Sequence, residues 1–398
     1  MYPYLVVMLP RQLEQILPEV FRSFPVIAIV GPRQSGKTTL CRNFFADRPY
    51  VSFENPDHKE RFDADPRGFL ANYVEGAIFD EAQQCPELFS YLQEIVDTDS
   101  RMGRFILTGS QQFRLNSGIS QSLAGRVASF RLLPFSFGEL ETSREFGEKL
   151  RTIALDDYLL KGSYPAIYDR GPPVALWYGN YIQTYVERDV RSLLNVSDLG
   201  TFQRFIRLCA ARTGQLVNFS EIGEQAGVSH NTIKSWISIL EASCVVFLLK
   251  PYHTNYSKRL VKTPKLYFYD TGLLCWLLSI KDASQLNLHP MRGQIFESFV
   301  ISELLKNRFN RGEENNLYFW RDQNGKEIDL LIDQGMQTTP LEIKSGMTFR
   351  PAHCKTIRKW ESISGSSCQP LVIYGGNTSF DHQSCAIHTW RDIGQMDF

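Results

Sequence analysis

The chain alternates short, wholly apolar runs with amphipathic segments. Val26-Ile27-Ala28-Ile29-Val30 is the first such run, and Ala77-Ile78-Phe79 and Phe105-Ile106-Leu107 repeat it. Runs of this length without polar alternation predict strands buried on both faces, as in a parallel sheet. Helical segments follow them, Thr39 to Phe45 and Pro86 to Val96, and the alternation continues to about Leu140. This order predicts an α/β fold with a parallel sheet whose ligand edge lies at the carboxyl ends of the strands. Ahead of it, Leu13, Ile16, Leu17 and Val20 share one face of a helix predicted over Arg11 to Phe24.

Beyond Leu140 the pattern changes. Ala154 to Leu193 is mostly helical, broken at Gly171-Pro172-Pro173, and its mixed-charge stretch Tyr181 to Val190 reads as a linker or lid. Ser220 to Ala226 is a short helix, Gly227-Val228-Ser229 a tight turn with Ser229 as N-cap, and Ile233, Trp236, Ile237 and Leu240 form one apolar stripe. Strands at Val245 to Leu249 and Lys265 to Tyr269 flank a basic stretch with Lys258, Arg259 and Lys262. Helix, turn, helix and basic wing look like a winged helix. His230, Asn231, Lys234 and Ser238 lie opposite the stripe, where they can reach base edges or phosphates. Protein–protein packing or a lid on an ATPase fits the same pattern. Farther on, strands at Leu317 to Trp320, Glu327 to Asp333 and Pro340 to Lys344 follow one another, the first two joined by an Asn324-Gly325 turn.

Two sets of residues carry chemistry. Gly31-Pro32-Arg33-Gln34-Ser35-Gly36-Lys37-Thr38 matches the phosphate-binding loop pattern between a strand and a helix, and Thr39 continues it. The loop N–H groups and the helix start favour a polyphosphate. In such a loop Lys37 reaches the β- and γ-phosphates of ATP and Thr38 ligates Mg²⁺. Asp80 and Glu81 end the second apolar strand, where Asp80 holds Mg²⁺ through water and Glu81 acts as base toward the attacking water. Ser110, with Thr108 next, is the candidate γ-phosphate sensor at the third strand end.

The second set is C-terminal. Glu342 and Lys344 are two apart and so share a strand face, and Asp329 can meet them from the neighbouring strand. Two carboxylates and a lysine suit a divalent ion, Mg²⁺ or Mn²⁺, that activates water beside a phosphate; the expected metal ligands are Asp329 and Glu342.

FPVIAIVGPRQSGKTTL, AIFDEAQ, FILTGSQQF and SLAGR resemble the prokaryotic AAA-type ATPases that carry a nuclease-like C-terminal domain of undefined role. The resemblance implies an AAA-type core and a homo-oligomeric ring in which an arginine completes the neighbour's site. Arg126 in SLAGR is the residue carried over, with Arg33 a second candidate. The C-terminal pattern resembles the PD-(D/E)xK nuclease superfamily, in which an earlier helix adds an acid, here Glu297. The implied catalytic set is Glu297, Asp329, Glu342 and Lys344. Ile328 stands where that superfamily's name has proline, and the superfamily includes inactive binding domains.

At 398 residues the chain has room for two to four units. We read an AAA-type ATPase core over 1–140, a helical lid or linker over 141–205, a winged helix over 206–285 and a PD-(D/E)xK nuclease-like α/β domain over 286–398. The 43 basic and 43 acidic residues cancel, which excludes a protein that coats nucleic acid by net charge and leaves local patches to bind DNA. Eight cysteines without a C-x-x-C pair argue against a zinc ribbon. The apolar N-terminus, Met1 to Pro10, is too short to span a bilayer and has no basic segment before it, so a soluble, cytoplasmic protein without membrane contact is expected. The expected function is ATP hydrolysis coupled to DNA binding or remodelling, with branched DNA as a candidate. The alternatives are an ATP-regulated switch that assembles with a protein partner and a defence-type nuclease effector.

Overall fold

A computed structural model describes residues 9–110, 115, 118–119, 121–185, 199–252, 263–322, 325–365, 369–396 and 398, except the side chains of 361 and 363. Lys258, Arg259, Lys262, Asn324 and the predicted helix beyond Tyr185 lie outside the described residues.

The apolar runs form the predicted sheet. Strands β1 (Val26–Val30), β2 (Tyr50–Ser52), β3 (Ala77–Asp80), β4 (Phe105–Gly109) and β5 (Val127–Arg131) lie in the order β2-β3-β4-β1-β5. Every pairing is parallel. β1, β3 and β4 are buried at each residue. Alternate side chains of β1 serve two cores: Val26, Ala28 and Val30 pack with Phe53, Phe79 and Phe89, whereas Ile27 and Ile29 pack with Leu13, Leu17 and Leu40. Helices α1 (Leu17–Ser23), α2 (Lys37–Phe44) and α3 (Leu88–Thr98) contribute to these cores.

The helix predicted over Arg11 to Phe24 is instead divided. A 3₁₀ turn spans Gln12–Gln15, and α1 begins at Leu17. Pro18 has no N–H to continue the ladder and is favourable only in a first helical turn. Arg11 therefore stands outside any helix, with its side chain buried.

Most of the remaining elements contribute to one large core. Helices α4 (Phe137–Glu141), α5 (Phe219–Ala226), α6 (His230–Ala242) and α7 (Arg292–Asn310) surround a second sheet. Ser229 caps α6, accepting from Thr232 N at 3.1 Å, and Ile233, Trp236, Ile237 and Leu240 are buried as one stripe. Strands β6 (Val246–Pro251), β7 (Lys265–Phe268), β8 (Leu317–Arg321), β9 (Glu327–Asp333), β10 (Thr338–Lys344), β11 (Leu371–Tyr374), β12 (Phe380–His382) and β13 (Cys385–Thr389) are ordered β12-β13-β11-β10-β9-β8-β6-β7. β6 pairs with β8 in parallel through Lys250–Tyr318 and Pro251–Phe319. One apolar cluster runs from Leu133 to Ile393, and a second, smaller one gathers Ile328, Leu331, Trp360 and Val372. The expected division near residue 285 is thus no break in packing, because the β6–β7 hairpin is built into the C-terminal sheet. Among the described residues no helix is long and apolar enough to cross a membrane.

A chain ending at residue 285 loses β8 from the side of β6 and loses α7 from the shared core. We expect it to show no cooperative melting transition for residues 141–285 in scanning calorimetry. A sharp, independent transition there would show a separable domain.

Candidate functional site

The carboxyl ends of β1, β3 and β4 meet at one sheet edge because these strands are parallel. After Val30 the chain turns through the glycine loop into α2. A Cβ on Gly31 would lie 2.0 Å from the Leu132 carbonyl oxygen, and Gly36 adopts φ 95°, so both positions require glycine. Lys37 is buried and donates from Nζ to the carbonyls of Gly31 at 3.0 Å and Pro32 at 2.8 Å. Burial pulls its pKa down, against the opposing pull of Glu81 and Asp80. Ser35 Oγ is buried and has no hydrogen-bond partner. Arg33 approaches Glu54 at 3.8 Å, while Gln34 and Thr39 are exposed.

Asp80 is held from three elements. Thr38 Oγ1 donates to its Oδ1 at 3.2 Å, Tyr50 OH donates to Oδ2 at 2.6 Å, and Thr108 Oγ1 donates to Oδ1. Burial and the bond to Asp80 push the Tyr50 hydroxyl pKa up. Glu81 follows β3 with φ 53°, a left-handed conformation that is strained for a non-glycine residue. Its Oε2 accepts from Ser110 Oγ at 3.0 Å and from Gln83 Nε2. Thr38, Asp80, Glu81, Thr108 and Ser110 are thus brought together, with Ser110 bonded to Glu81. Arg126 is not among them. It precedes β5, at the sheet end opposite Val30, and grips Asp97 through Nε at 2.5 Å and Nη2 at 2.9 Å.

Sequence reasoning missed Tyr50 and Arg11. Tyr50 lies 30 residues from its partner, in a three-residue strand with no motif around it. Arg11 Nη1 donates to the Ser35 carbonyl at 2.8 Å, Nη2 to the Leu133 carbonyl at 2.7 Å, and Nε to Glu139 Oε1 at 2.9 Å. No local signal marks it. A magnesium nucleotide suits this donor set: Ser35 Oγ is an orphaned donor, Lys37 supplies positive charge, and Thr38 with Asp80 offers a hydroxyl beside a carboxylate.

The second site gathers Glu297 from α7, Asp329 from β9, and Glu342 and Lys344 from β10. Lys344 Nζ lies 3.1 Å from Asp329 Oδ2 and 2.6 Å from Glu342 Oε1. It therefore reaches both carboxylates between which the sequence places a divalent ion. The Ile343 N–H also donates to Asp329 Oδ2, at 2.9 Å. Glu342 Oε2 is buried without a partner. Glu297 accepts from Tyr267 OH, and Lys265 Nζ lies 3.5 Å from Glu297 and also pairs with Glu327. Lys265 and Tyr267 are alternate residues of β7, so the hairpin supplies a wall of this site that the sequence reading left out. Burial, reinforced by the charge of Asp329, pushes Glu297 and Glu342 each up to about 7. Burial alone would lower Lys344, but Asp329 and Glu342 outweigh it and its pKa rises. Among the described residues no group of three or more His, Cys, Asp or Glu side chains is arranged to hold a metal ion.

An all-parallel β2-β3-β4-β1-β5 sheet with a phosphate loop after β1 and an acid ending β3 defines a P-loop ATPase of the AAA type. Residues 23–141 match the family model described as AAA domain. Residues 152–284 and 292–391 match two models described as domains of unknown function, DUF8612 and DUF4143. The chain is 34% identical over 360 residues to the uncharacterized proteins Rv2008c of Mycobacterium tuberculosis and Mb2031c of Mycobacterium bovis, covering 89% of this chain and 78% of each of them. It belongs to the same family of AAA-type ATPases as these proteins. Among solved structures, the Walker-type ATPase paby2304 of Pyrococcus abyssi aligns with TM-score 0.47 and 15% identity, over 68% of this chain and 96% of that one. The Holliday junction branch migration motor RuvB of Thermotoga maritima aligns with TM-score 0.30 and 15% identity, over 59% and 88%.

The raised carboxyl groups have a consequence for stability. A carboxyl whose folded pKa exceeds its unfolded value stabilises the fold below the unfolded value and loses that contribution as pH rises through the folded one. Thermal stability should therefore fall between about pH 4.5 and pH 7 in chelator, and Glu297→Gln should flatten the slope by up to about 1.4 kcal/mol per pH unit. A slope unchanged in Glu297→Gln would show that Glu297 titrates alike in folded and unfolded chains.

Proposed function

We propose that this ATPase couples Mg²⁺-dependent ATP hydrolysis to DNA binding and remodelling, with branched DNA as the candidate form. In this reading Lys37 neutralises the β- and γ-phosphates, and Thr38 and Asp80 hold Mg²⁺ at an Asp80 oriented by Tyr50 and Thr108. Glu81 accepts the proton of the attacking water, in a position set by its bond to Ser110. When bound, Mg²⁺ supplies charge neutralisation of the phosphates. The observation that carries the DNA reading is the convergence of Glu297, Asp329, Glu342 and Lys344 in the sheet that also contains the β6–β7 hairpin. Beside that hairpin, α6 exposes His230, Asn231, Lys234 and Ser238 as a winged helix would present them to a duplex. The orphaned Glu342 Oε2, with Asp329 and the Ile343 carbonyl, offers donors for a divalent ion next to an ammonium suited to a phosphodiester. Arg126 is the residue that a ring would present to a neighbouring subunit once released from Asp97.

A second reading is a nucleotide-controlled switch that assembles with a protein partner, the C-terminal site binding without cutting. One observation favours it: both acid groups already hold an internal ammonium, Lys344 between Asp329 and Glu342, and Lys265 between Glu297 and Glu327.

ATP turnover measured with duplex, single-stranded and branched DNA, in Mg²⁺ and Mn²⁺, separates the two. Stimulation by DNA supports remodelling, indifference supports the switch, and cleaved DNA would establish a nuclease. Lys37→Ala should abolish nucleotide binding. Glu81→Gln should bind ATP normally and hydrolyse it about 10²–10⁴-fold more slowly; hydrolysis at the wild-type rate would move the base elsewhere. Divalent metal should raise the melting temperature, and Asp329→Asn should erase the rise.

A further inference from the structure

Beneath the phosphate loop lies a chain of buried charges that the ATPase chemistry does not use. Arg11, Glu139, Glu303, Lys306 and Asp270 are each no more than 6% exposed. They come from the N-terminal segment, α4, α7 and the segment after β7. Arg11 bonds the Ser35 and Leu133 carbonyls and Glu139, and its guanidinium stacks 4.7 Å from the Phe135 ring centre. The second oxygen of Glu139 accepts from Ser136 N at 2.8 Å, closing the capping box of α4. The next backbone N–H of α4, from Phe137, donates to Glu303 Oε2 at 2.5 Å. Glu303 Oε1 takes Lys306 Nζ at 2.7 Å, and that ammonium also donates to the Phe135 carbonyl at 3.1 Å and to Ser163 Oγ at 3.0 Å. Ser163 continues to Asp270 Oδ2, at 2.7 Å from N and 2.9 Å from Oγ.

The contact at Ser35 has a directional effect. In a planar trans peptide the C=O and the following N–H point to opposite sides. Arg11, by holding the Ser35 carbonyl, fixes the plane of the Ser35–Gly36 peptide and sends the Gly36 N–H to the other side. Backbone N–H groups are what a phosphate loop offers its ligand. Arg11 in turn is oriented by Glu139, and the α4 turn that carries Glu139 is tied to α7 through Glu303 and Lys306. An ion pair serving stability alone would need neither the loop carbonyl nor the α7 pair.

We propose that Arg11 is the positioning residue of the phosphate loop, and that the Glu303–Lys306 pair of α7 holds it in place, so that nucleotide binding depends on the docking of α7. Arg11→Lys keeps the charge for Glu139 but cannot reach three partners. It should raise KM for ATP about tenfold while kcat changes less than about twofold. In the nucleotide-free protein, amide hydrogen exchange over residues 31–38 should quicken. The neutral double variant Glu303→Gln/Lys306→Met touches no loop atom and should show the same rise in KM and the same faster loop exchange. Wild-type KM and loop exchange in both variants, with melting still cooperative, would overturn the proposal, as would a fall in kcat at constant KM. The wild-type protein gives a test that needs no variant to fold. A non-hydrolysable ATP analogue with Mg²⁺ should slow exchange over residues 300–307. Analogue binding, followed separately by calorimetry, with no change in those amides would refute the α7 arm while leaving the ATPase itself intact.

Discussion

Arg11 is almost wholly buried, so most of its bonds must come from the protein. A guanidinium buried without full pairing costs several kcal/mol, which makes its surroundings interdependent. Glu139 answers its charge, the Leu133 and Ser35 carbonyls take two further donors, and the Phe135 ring covers it. Each partner is fixed for a second reason. Glu139 closes a helix cap, the Leu133 carbonyl belongs to the strand exit from β5, and Ser35 belongs to the phosphate loop. The geometry of the loop is therefore set partly by residues far outside it.

The other constraint is the common direction of five strands. Parallel pairing places the ends of β1, β3 and β4 side by side, so the loop, Asp80–Glu81 and Thr108–Ser110 meet without any long-range design. Within that edge, charge is distributed by bonding. Asp80 receives three hydroxyl donors, whereas Glu81, on a strained backbone, receives the Ser110 hydroxyl and N–H and the Gln83 side-chain amide. Strain of that kind is kept only where the surroundings insist on it. At the C-terminal site the same physics acts in the opposite direction. Glu297 and Glu342 are crowded and desolvated, and Lys265 and Lys344 are drawn in to offset them.

Much of this was legible from local pattern. The apolar runs without alternation, the glycine loop and the alternate placement of Glu342 and Lys344 all depend on residues within a few positions of one another, where periodicity and stereochemistry act directly. What escaped depends on contacts between distant segments. Arg11 and Glu139 are separated by 128 residues, and Tyr267 and Glu297 by 30, across what looked like a domain boundary. Hydrophobic pattern cannot show that two neighbouring units share one core, because the same apolar face serves an internal interface or a domain's own interior. The division at Pro18 was within reach, since proline cannot continue a hydrogen-bond ladder, but the amphipathic stripe from Leu13 to Val20 masked it.

The sequence order of the strands has a bearing on how the protein is made. The first sheet needs only residues 26–131, so its strands can pair early on the ribosome. The α4 turn beneath the loop cannot be completed then, because Phe137 N–H waits for Glu303, and Asn307 on the same helix waits for the Ile393 carbonyl. β6 likewise stays an open edge until β8 is synthesised. For much of translation the nascent chain carries an ATPase sheet over an unfinished foundation, with one edge of β6 open and the Phe137 N–H unmet. Between the emergence of residue 131 and that of residue 393 these polar groups and this strand edge stand open, which is when the chain is most exposed to mispairing.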